Sequence, residues 1–588
     1  MTSVTEKFAS VSIGSGEQID RKILIAVDFG TTFSGLAWAQ TRRPDVQTTI
    51  TQWPDATSQG LEGISSDKVP TEIHYTEDGY RWGFQISDEE QRYQWFKLDL
   101  DPSQARGTSD LARRYAAHKA LPPGYDMNAE KLITDYLTAL RKHAEEFLKH
   151  KLPESALRST MIEYIITTPA VWSETAQSKT RACAEKAGMG KGDKLQIISE
   201  PEAAAIYSLD VMDASPHDLK IGDTFVVCDA GGGTVDLISY TITALKPLLQ
   251  IEEASPGTGG LCGSTYLNRI FKEFILAKFK DNEGWDEEVM DDALKRFELV
   301  TKRAFTGDTA EKFTIPVPGL VDDPIQGVRR GKFTLQGSDI VQIFKPVLEE
   351  IIALVKGQIT GTSRKVKAVL LVGGFGQSVY LRNSLRTALS SKITKIEVLV
   401  PPNGWTAVVR GALMKALAEV SPDLQRVKIS SRAARKHYGA NSSVVYDKKK
   451  HGDAVTTYDA FAGVSRVNAM WWYLHKGDPV KEHEPTRFPY LTTQLVTNDP
   501  LKPVSTTIQY SAEDKAPVFC DSKVTNLVTL VADFSCIPKS SIEQRRGKDA
   551  KLYYYLPYDI EMTNYSASTK YELVYEGVNY ASVKAEYV

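Results

Sequence analysis

The stretch TFVVCDAGGGTVD, residues 224–236, decides the fold. Its first half is apolar without alternation, the mark of a strand buried on both faces. Asp229 closes that strand, Gly231, Gly232 and Gly233 make a tight turn, and Thr234 leads back into apolar sequence. That return predicts a β-hairpin rather than the strand-to-helix turn of a dinucleotide site. Glycines let backbone N–H groups close on an anion with no Cβ in the way, and Thr234 adds a hydroxyl. A carboxylate at the strand end repels a phosphate, so it makes chemical sense where a hydrated Mg²⁺ lies between the two.

Outward from there, ILIAVDFGTT (residues 23–32) repeats the pattern, with Asp28 followed by Gly30, Thr31 and Thr32. Two such turns face to face would grip a nucleotide tail from both sides. ISEPEAAAI (198–206) puts Glu200 at a strand end ahead of the alanines of a close-packed helix. VGGFGQS (372–378) runs a strand into Gly373 and Gly374, bare backbone on which a flat base can lie. No G-x-x-x-x-G-K-[ST] is present and no G-x-G-x-x-G follows a strand, which excludes a P-loop NTPase and a Rossmann cofactor site.

At 588 residues the chain exceeds what one core supports, about 250–300 residues, so two or more domains are expected. A composition of 42% hydrophobic and 25% charged residues excludes wholesale disorder. The net charge of −3 argues against a nucleic-acid binder, which needs a basic surplus. The cysteines are far apart, without zinc spacing, and are expected as buried reduced thiols. No apolar run reaches the roughly 18 residues of a membrane helix. Residues 1–22 carry no signal-peptide core and are expected as a disordered tail. A cytoplasmic protein is indicated, a nuclear one being left open.

Strand runs alternate with helical stretches from Ile23 to Leu417, an α/β pattern. Leu132, Tyr136, Leu140 and Phe147 predict a one-faced helix over 126–150, and Phe344–Ile359 reads as a long helix. Met161–Thr168 and Val366–Val372 are further strands. Segment 421–440, with Arg426, Lys428, Arg432, Arg435 and Lys436, reads as a solvated linker. Beyond it Ser505–Ser511, Leu527–Phe534 and Lys551–Met562 are β-like, and a terminal hairpin turns at Glu576-Gly577. Trp471, Trp472 and Tyr473 are expected in a core, and Lys448–Lys450 at a solvated loop tip.

These motifs, in this order, resemble the actin-like ATPase fold, and above all the heat-shock protein 70 family in its divergent, lid-less branch. The resemblance covers about 23–417 and rests on VDFGTT, CDAGGGTVDL, SEPEAAAIYSL, LLVGGFGQS and AVVRGALMKAL, with GGLCGSTYLNR (259–269) and FKPVLEEI (344–351) as further matches. It implies an α/β fold of two ribonuclease-H-like lobes (23–218 plus 397–420, and 219–396) followed by a small antiparallel β domain over 421–588. It implies ATP or ADP with Mg²⁺ held through water by Asp28 and Asp229. Thr31 and Thr234 would touch the γ-phosphate or the attacking water, which Glu200 would orient or deprotonate. Lys97 would be the lysine reaching the γ-phosphate. Gly30, Thr32, Gly231, Gly232, Gly233, Gly259 and Gly260 would shape the phosphate site. Glu298, Lys302, Arg303, Gly373, Gly374 and Gln377 would take the adenosine, Glu298 standing one residue off the family's spacing.

The expected activity is slow ATP hydrolysis that gates polypeptide binding, with client polypeptides and co-chaperones as partners and neither nucleic acid nor membrane. A nucleotide-binding scaffold with negligible turnover, an actin-like filament protein and a sugar kinase are the alternatives. Three positions depart from the family. Gln377 stands where an arginine stacks on the base, Asn403-Gly404-Trp405 lacks the closing acidic residue, and Ser264-Thr265 replaces an acidic pair.

Overall fold

The computed structural model describes residues 21–54, 65–87, 90–101, 110–115, 128–213, 219–390, 396–481, 484–497, 501–564, 569–582 and 584–587. The tail expected over 1–22 lies outside these up to residue 20. Lys22 itself is the first residue of a strand.

The first sheet holds β1 (Lys22–Asp28), β2 (Phe33–Gln40), β3 (Arg43–Thr49), β4 (Met161–Thr168) and β5 (Leu195–Ser199) in the order β3-β2-β1-β4-β5. The two-residue strand Val69–Pro70 lies beside β2. Beyond Lys22 every residue of β1 is buried, as its unbroken apolar run requires. It pairs antiparallel with β2, Asp28 opposite Gly35, and parallel with β4.

The second sheet holds β6 (Thr224–Ala230), β7 (Val235–Ala244), β8 (Leu249–Gly260), β9 (Val366–Val372), β10 (Glu397–Leu399) and β11 (Val427–Ala433), in the order β10-β9-β6-β7-β8-β11, with Pro479–Val480 at its end. β6 and β7 form a hairpin with Asp229 opposite Asp236. Both glycine turns are thus hairpin turns, as their flanking sequence predicts.

Helix α1 (Ala129–Lys151) buries Leu132, Tyr136 and Leu140 against the first sheet, with Phe147 half-buried at its margin. Further along the chain lie α2 (Glu174–Lys186), α3 (Glu200–Asp213), α4 (Thr265–Phe279), α5 (Gly337–Gly361) and α6 (Ala407–Val420). A single core joins the two sheets through α3 and α6, where Ala203, Ala204, Val409 and Ala412 meet Leu24 and Ala26 of β1 and Phe225 and Val227 of β6. The two helices touch backbone to backbone, since a Cβ on Gly411 would overlap the Ala203 carbonyl.

Segment 421–440 is not a solvated linker. Val427–Ala433 is β11, parallel to β8 with Val427 opposite Leu249, and Val427 and Ile429 enter the shared core. Arg426 and Lys428 are exposed, but the other three basic residues are partnered rather than solvated. Arg432 lies 2.6 Å from Glu202, Arg435 bonds the Ala170 carbonyl, and Lys436 lies 3.3 Å from Glu174.

Beyond Ala433 two antiparallel sheets enclose a separate core containing Phe488, Ile508, Val528, Leu556 and Ile560. The Glu576-Gly577 hairpin is present, with Tyr575 opposite Val578. The exposed Lys448–Lys450 and the half-buried His451 form the only α-helix among the described residues of this region. Of the aromatic run expected in a core, Tyr473 stacks on Phe488 at 4.3 Å, whereas Trp471, its ring 5.9 Å from that of Tyr473, is 45% exposed. Cys183, Cys228 and Cys262 are buried free thiols, but Cys520 is exposed.

Candidate functional site

A cavity of about 260 Å³ opens where the two hairpin turns meet. The turns are in contact, because a Cβ on Gly232 or Gly233 would run into the side chains of Thr32 or Thr31. Behind the glycine turn, the amides of Gly263, Ser264 and Thr265 donate to the carbonyls of Gly233, Gly231 and Gly232 at 2.9–3.1 Å. That clamp commits the carbonyls to one side. The amides of Gly232 and Gly233 have no acceptor among the described residues, the arrangement of an anion nest.

Three carboxylates face this end of the cavity, Asp28, Glu200 and Asp229. Lys68 Nζ donates to Asp28 Oδ2 at 2.6 Å. Lys97 Nζ donates to Glu200 Oε1 at 2.6 Å and to the Phe29 carbonyl at 2.5 Å. Glu200 is the first residue of α3, directly after β5. Burial pushes its carboxyl up to about 7, Lys97 opposing the rise and the charges of Asp236 and Asp28 adding to it. Burial likewise raises Asp229 well above the usual carboxylate range, reinforced by Glu200 and Asp28. Gly373, at φ +84°, closes over Asp229, and a Cβ there would overlap both the Asp229 carboxylate and the Ala230 carbonyl.

The cavity is also lined by Glu298, Lys302, Arg303, Gly374, Gln377 and Trp405. Lys302 Nζ lies 3.2 Å from Glu298 and 3.0 Å from Asn268 Oδ1. The π-helical turn Phe297–Thr301 absorbs one extra residue. Glu298, out of step by one residue in sequence, therefore reaches the same cavity as Lys302 and Arg303. Burial favours the neutral acid at Glu298, but Lys302 and Asn268 outweigh it and hold the carboxyl low. Trp405 meets Phe33 edge to face at 6.0 Å, and the Gly373 amide donates to the Gly404 carbonyl at 3.1 Å, tying the two glycine-bearing turns together.

Of the residues singled out in sequence, Asp28, Gly30, Thr31, Thr32, Glu200, Asp229, Gly231, Gly232, Thr234, Glu298, Lys302, Arg303, Gly373, Gly374 and Gln377 line this one cavity. Four do not. Lys97 is fully committed to Glu200 and Phe29, outside the lining. Gly233 is packed against Thr31. Gly259 and Gly260 lie in β8 opposite Asp236 and Val235, where Gly259 leaves room for the Val235 carbonyl and Val171. Lys68, Phe33 and Ser264 line the cavity without having been marked as site residues by any motif.

The donor set fits a hydrated divalent cation. Asp28 and Asp229 are buried carboxylates at two strand ends beside one cavity, and no cluster of three ligand side chains exists among the described residues. Such a pair suits contact through the cation's water rather than a cage of direct ligands.

Two sheets that each offer an aspartate-glycine hairpin to one shared cavity define the two-lobed, actin-like ATPase fold. The sequence profile described as Hsp70 protein matches residues 112–417, just over half of the chain. Heat shock 70 kDa protein 12A of Mus musculus is 25% identical over 493 residues, 68% of this chain and 70% of that protein. Heat shock 70 kDa protein 12B of Homo sapiens is 24% identical over 510 residues, covering 70% and 71%. Chaperone protein DnaK of Akkermansia muciniphila is 30% identical over 231 residues, covering 38% and 33%. The chain belongs to the Hsp70 family, as a divergent member, and is a nucleotide-binding, chaperone-like protein. No helix among the described residues is long and apolar enough to cross a membrane.

Proposed function

We propose that this protein binds ATP with Mg²⁺ in the cavity between the hairpin turns, hydrolyses it slowly, and uses the nucleotide state to gate polypeptide binding by the β region beyond residue 420. The observation that carries this reading is Glu200, a buried carboxylate with its carboxyl near 7, held by Lys97 beside two strand-end aspartates. A base poised near neutrality suits proton transfer from water. Water would attack the γ-phosphorus, the bond to the ADP oxygen would break, and Glu200 would orient the water and take its proton. The amide of Gly232 and the hydroxyls of Thr31 and Thr234 would receive the phosphate oxygens. Bound Mg²⁺ would neutralise charge on the phosphates, with Asp28 and Asp229 holding its water shell. Glu298, Lys302, Arg303 and Gln377 would take the adenosine. Client polypeptides and co-chaperones are the partners this reading implies, with 23–420 completed by strand β11 as the nucleotide unit.

The test is calorimetric titration of ATP and ADP with Mg²⁺, followed by single-turnover phosphate release, on wild type and Glu200→Ala. Binding with release that falls in the variant supports hydrolysis. Binding without release supports a nucleotide-gated scaffold, a reading favoured by Trp405 and Gln377 in the adenosine end of the cavity. Absence of binding sinks both.

A further inference from the structure

Two lysines stand at the carboxylate end of the cavity, and they are not equivalent. Lys97 is buried, spends its ammonium on Glu200 and the Phe29 carbonyl, and lies outside the cavity lining. Lys68 lines the cavity, with its ammonium 2.6 Å from Asp28 Oδ2. Its position is built. The strand Val69–Pro70 pairs with Ser34 and Phe33 of β2, which sets Lys68 beside Gly35, the residue opposite Asp28 in the β1–β2 ladder. Gly35 leaves the room for the lysine stem, since a Cβ there would lie 3.3 Å from Lys68 Cγ. The Ser66 hydroxyl donates to the Lys68 carbonyl at 2.7 Å and fixes the backbone.

Resting on the nucleotide-binding reading above, we propose that Lys68 is a specificity residue that selects nucleoside triphosphate over diphosphate. The part of the cavity beside Lys68 carries three carboxylates against two ammonium groups, and one of those, on Lys97, is spent on Glu200 and the Phe29 carbonyl outside the lining. Each further phosphate brings negative charge toward that end. Lys68 is the cation there that neutralises Asp28 and remains within reach of the cavity. With the adenosine at Glu298, Lys302 and Arg303, as in the reading above, a diphosphate would extend less far toward the Lys68–Asp28 pair than a triphosphate does.

The experiment compares full-length wild type, Lys68→Met, Lys68→Gln and Lys97→Met by calorimetric titration with ATP and ADP, each with Mg²⁺ and with EDTA, after thermal melts confirm folding. Lys68→Met and Lys68→Gln are expected to weaken ATP about tenfold or more and ADP by less than about threefold, the scale of losing one charge-assisted contact. The ATP loss is expected to be larger in EDTA, where the lysine is the cation left. Equal losses for ATP and ADP, or no loss in whichever Lys68 variant folds, overturn the assignment. Transfer of the whole ATP-selective loss to Lys97→Met overturns it as well. A wild type that binds neither nucleotide overturns the proposed function itself, and this inference with it.

Discussion

Arg432 forks onto Glu202 across 230 residues of sequence, its Nε 3.0 Å from Oε2 and its Nη2 2.6 Å from Oε1. Glu202 is two residues past Glu200 on α3, and Arg432 sits on β11, so the pair ties the helix behind the candidate site to the last long strand of the second sheet. The Glu202 side chain is only 2% exposed. Removing one partner of a buried pair strands the other charge, which costs about 3–5 kcal/mol. Arg432→Met is therefore expected to destabilise by about 3 kcal/mol in chemical denaturation, and Arg432→Met/Glu202→Leu to regain most of it. A double variant no better than the single one would show that the pair is not coupled.

The raised Glu200 carboxyl makes stability depend on pH with a definite sign. Its folded value is about 7, against a reference of 4.5. Between these values the folded state keeps a proton that the unfolded state releases, so this group's contribution falls as pH rises, levelling above about 7. The melting temperature of nucleotide-free Glu200→Gln, relative to wild type, is expected to climb from pH 5 to pH 8. Parallel melting curves across that range would count against the raised value.

Two glycine-to-alanine changes are expected to go in opposite directions. At Gly411 an added Cβ meets the Ala203 carbonyl and forces α3 and α6 apart, an overpacking penalty of about 1–3 kcal/mol. At Gly357 on α5 it meets nothing within 4 Å, and the gain in helix propensity is up to about 1 kcal/mol. Denaturant midpoints of the two variants on either side of wild type are the expected result.

Gly373→Ala tests the cover over Asp229. Its positive φ and the overlap with Asp229 and Ala230 mean that the carboxylate must shift. Nucleotide affinity with Mg²⁺ is expected to fall about tenfold or more, the scale of one lost charged contact. Unchanged affinity in a folded variant would mean that the placement of Asp229 does not matter to binding.

What could be read from sequence was what the chain does locally. The apolar runs ending at Asp28 and Asp229, and the apolar sequence after each turn, carried both hairpins because strand, turn and return lie within some fifteen residues of each other. Lys68 was silent because its partner Asp28 is forty residues away and its neighbours, Asp67 and Val69, form no recognised pattern. Arg432 and Arg435 read as solvated because a charge in sequence does not name its partner, here Glu202 and the Ala170 carbonyl. Gly259 and Gly260 look in sequence like Gly231 and Gly232, although the first pair makes room for a neighbouring strand and the second lines a cavity. The one-residue offset at Glu298 became intelligible only through the π-helical turn that absorbs it.

Strand β11 governs how the chain can be divided. A fragment ending at Val420 would strip β8 of its parallel neighbour and leave the backbone from Leu249 to Glu252 as an open edge, a template for pairing with another copy. It would also remove Val427, Ile429 and Arg432, uncovering apolar core and stranding Glu202. Expressed alone, such a piece is expected to self-associate, whereas one carried through Ala433 keeps β8 paired and the shared core covered. A proteolytic nick at 421–426 should leave both halves travelling together on a sizing column, held by the seam rather than by the peptide bond.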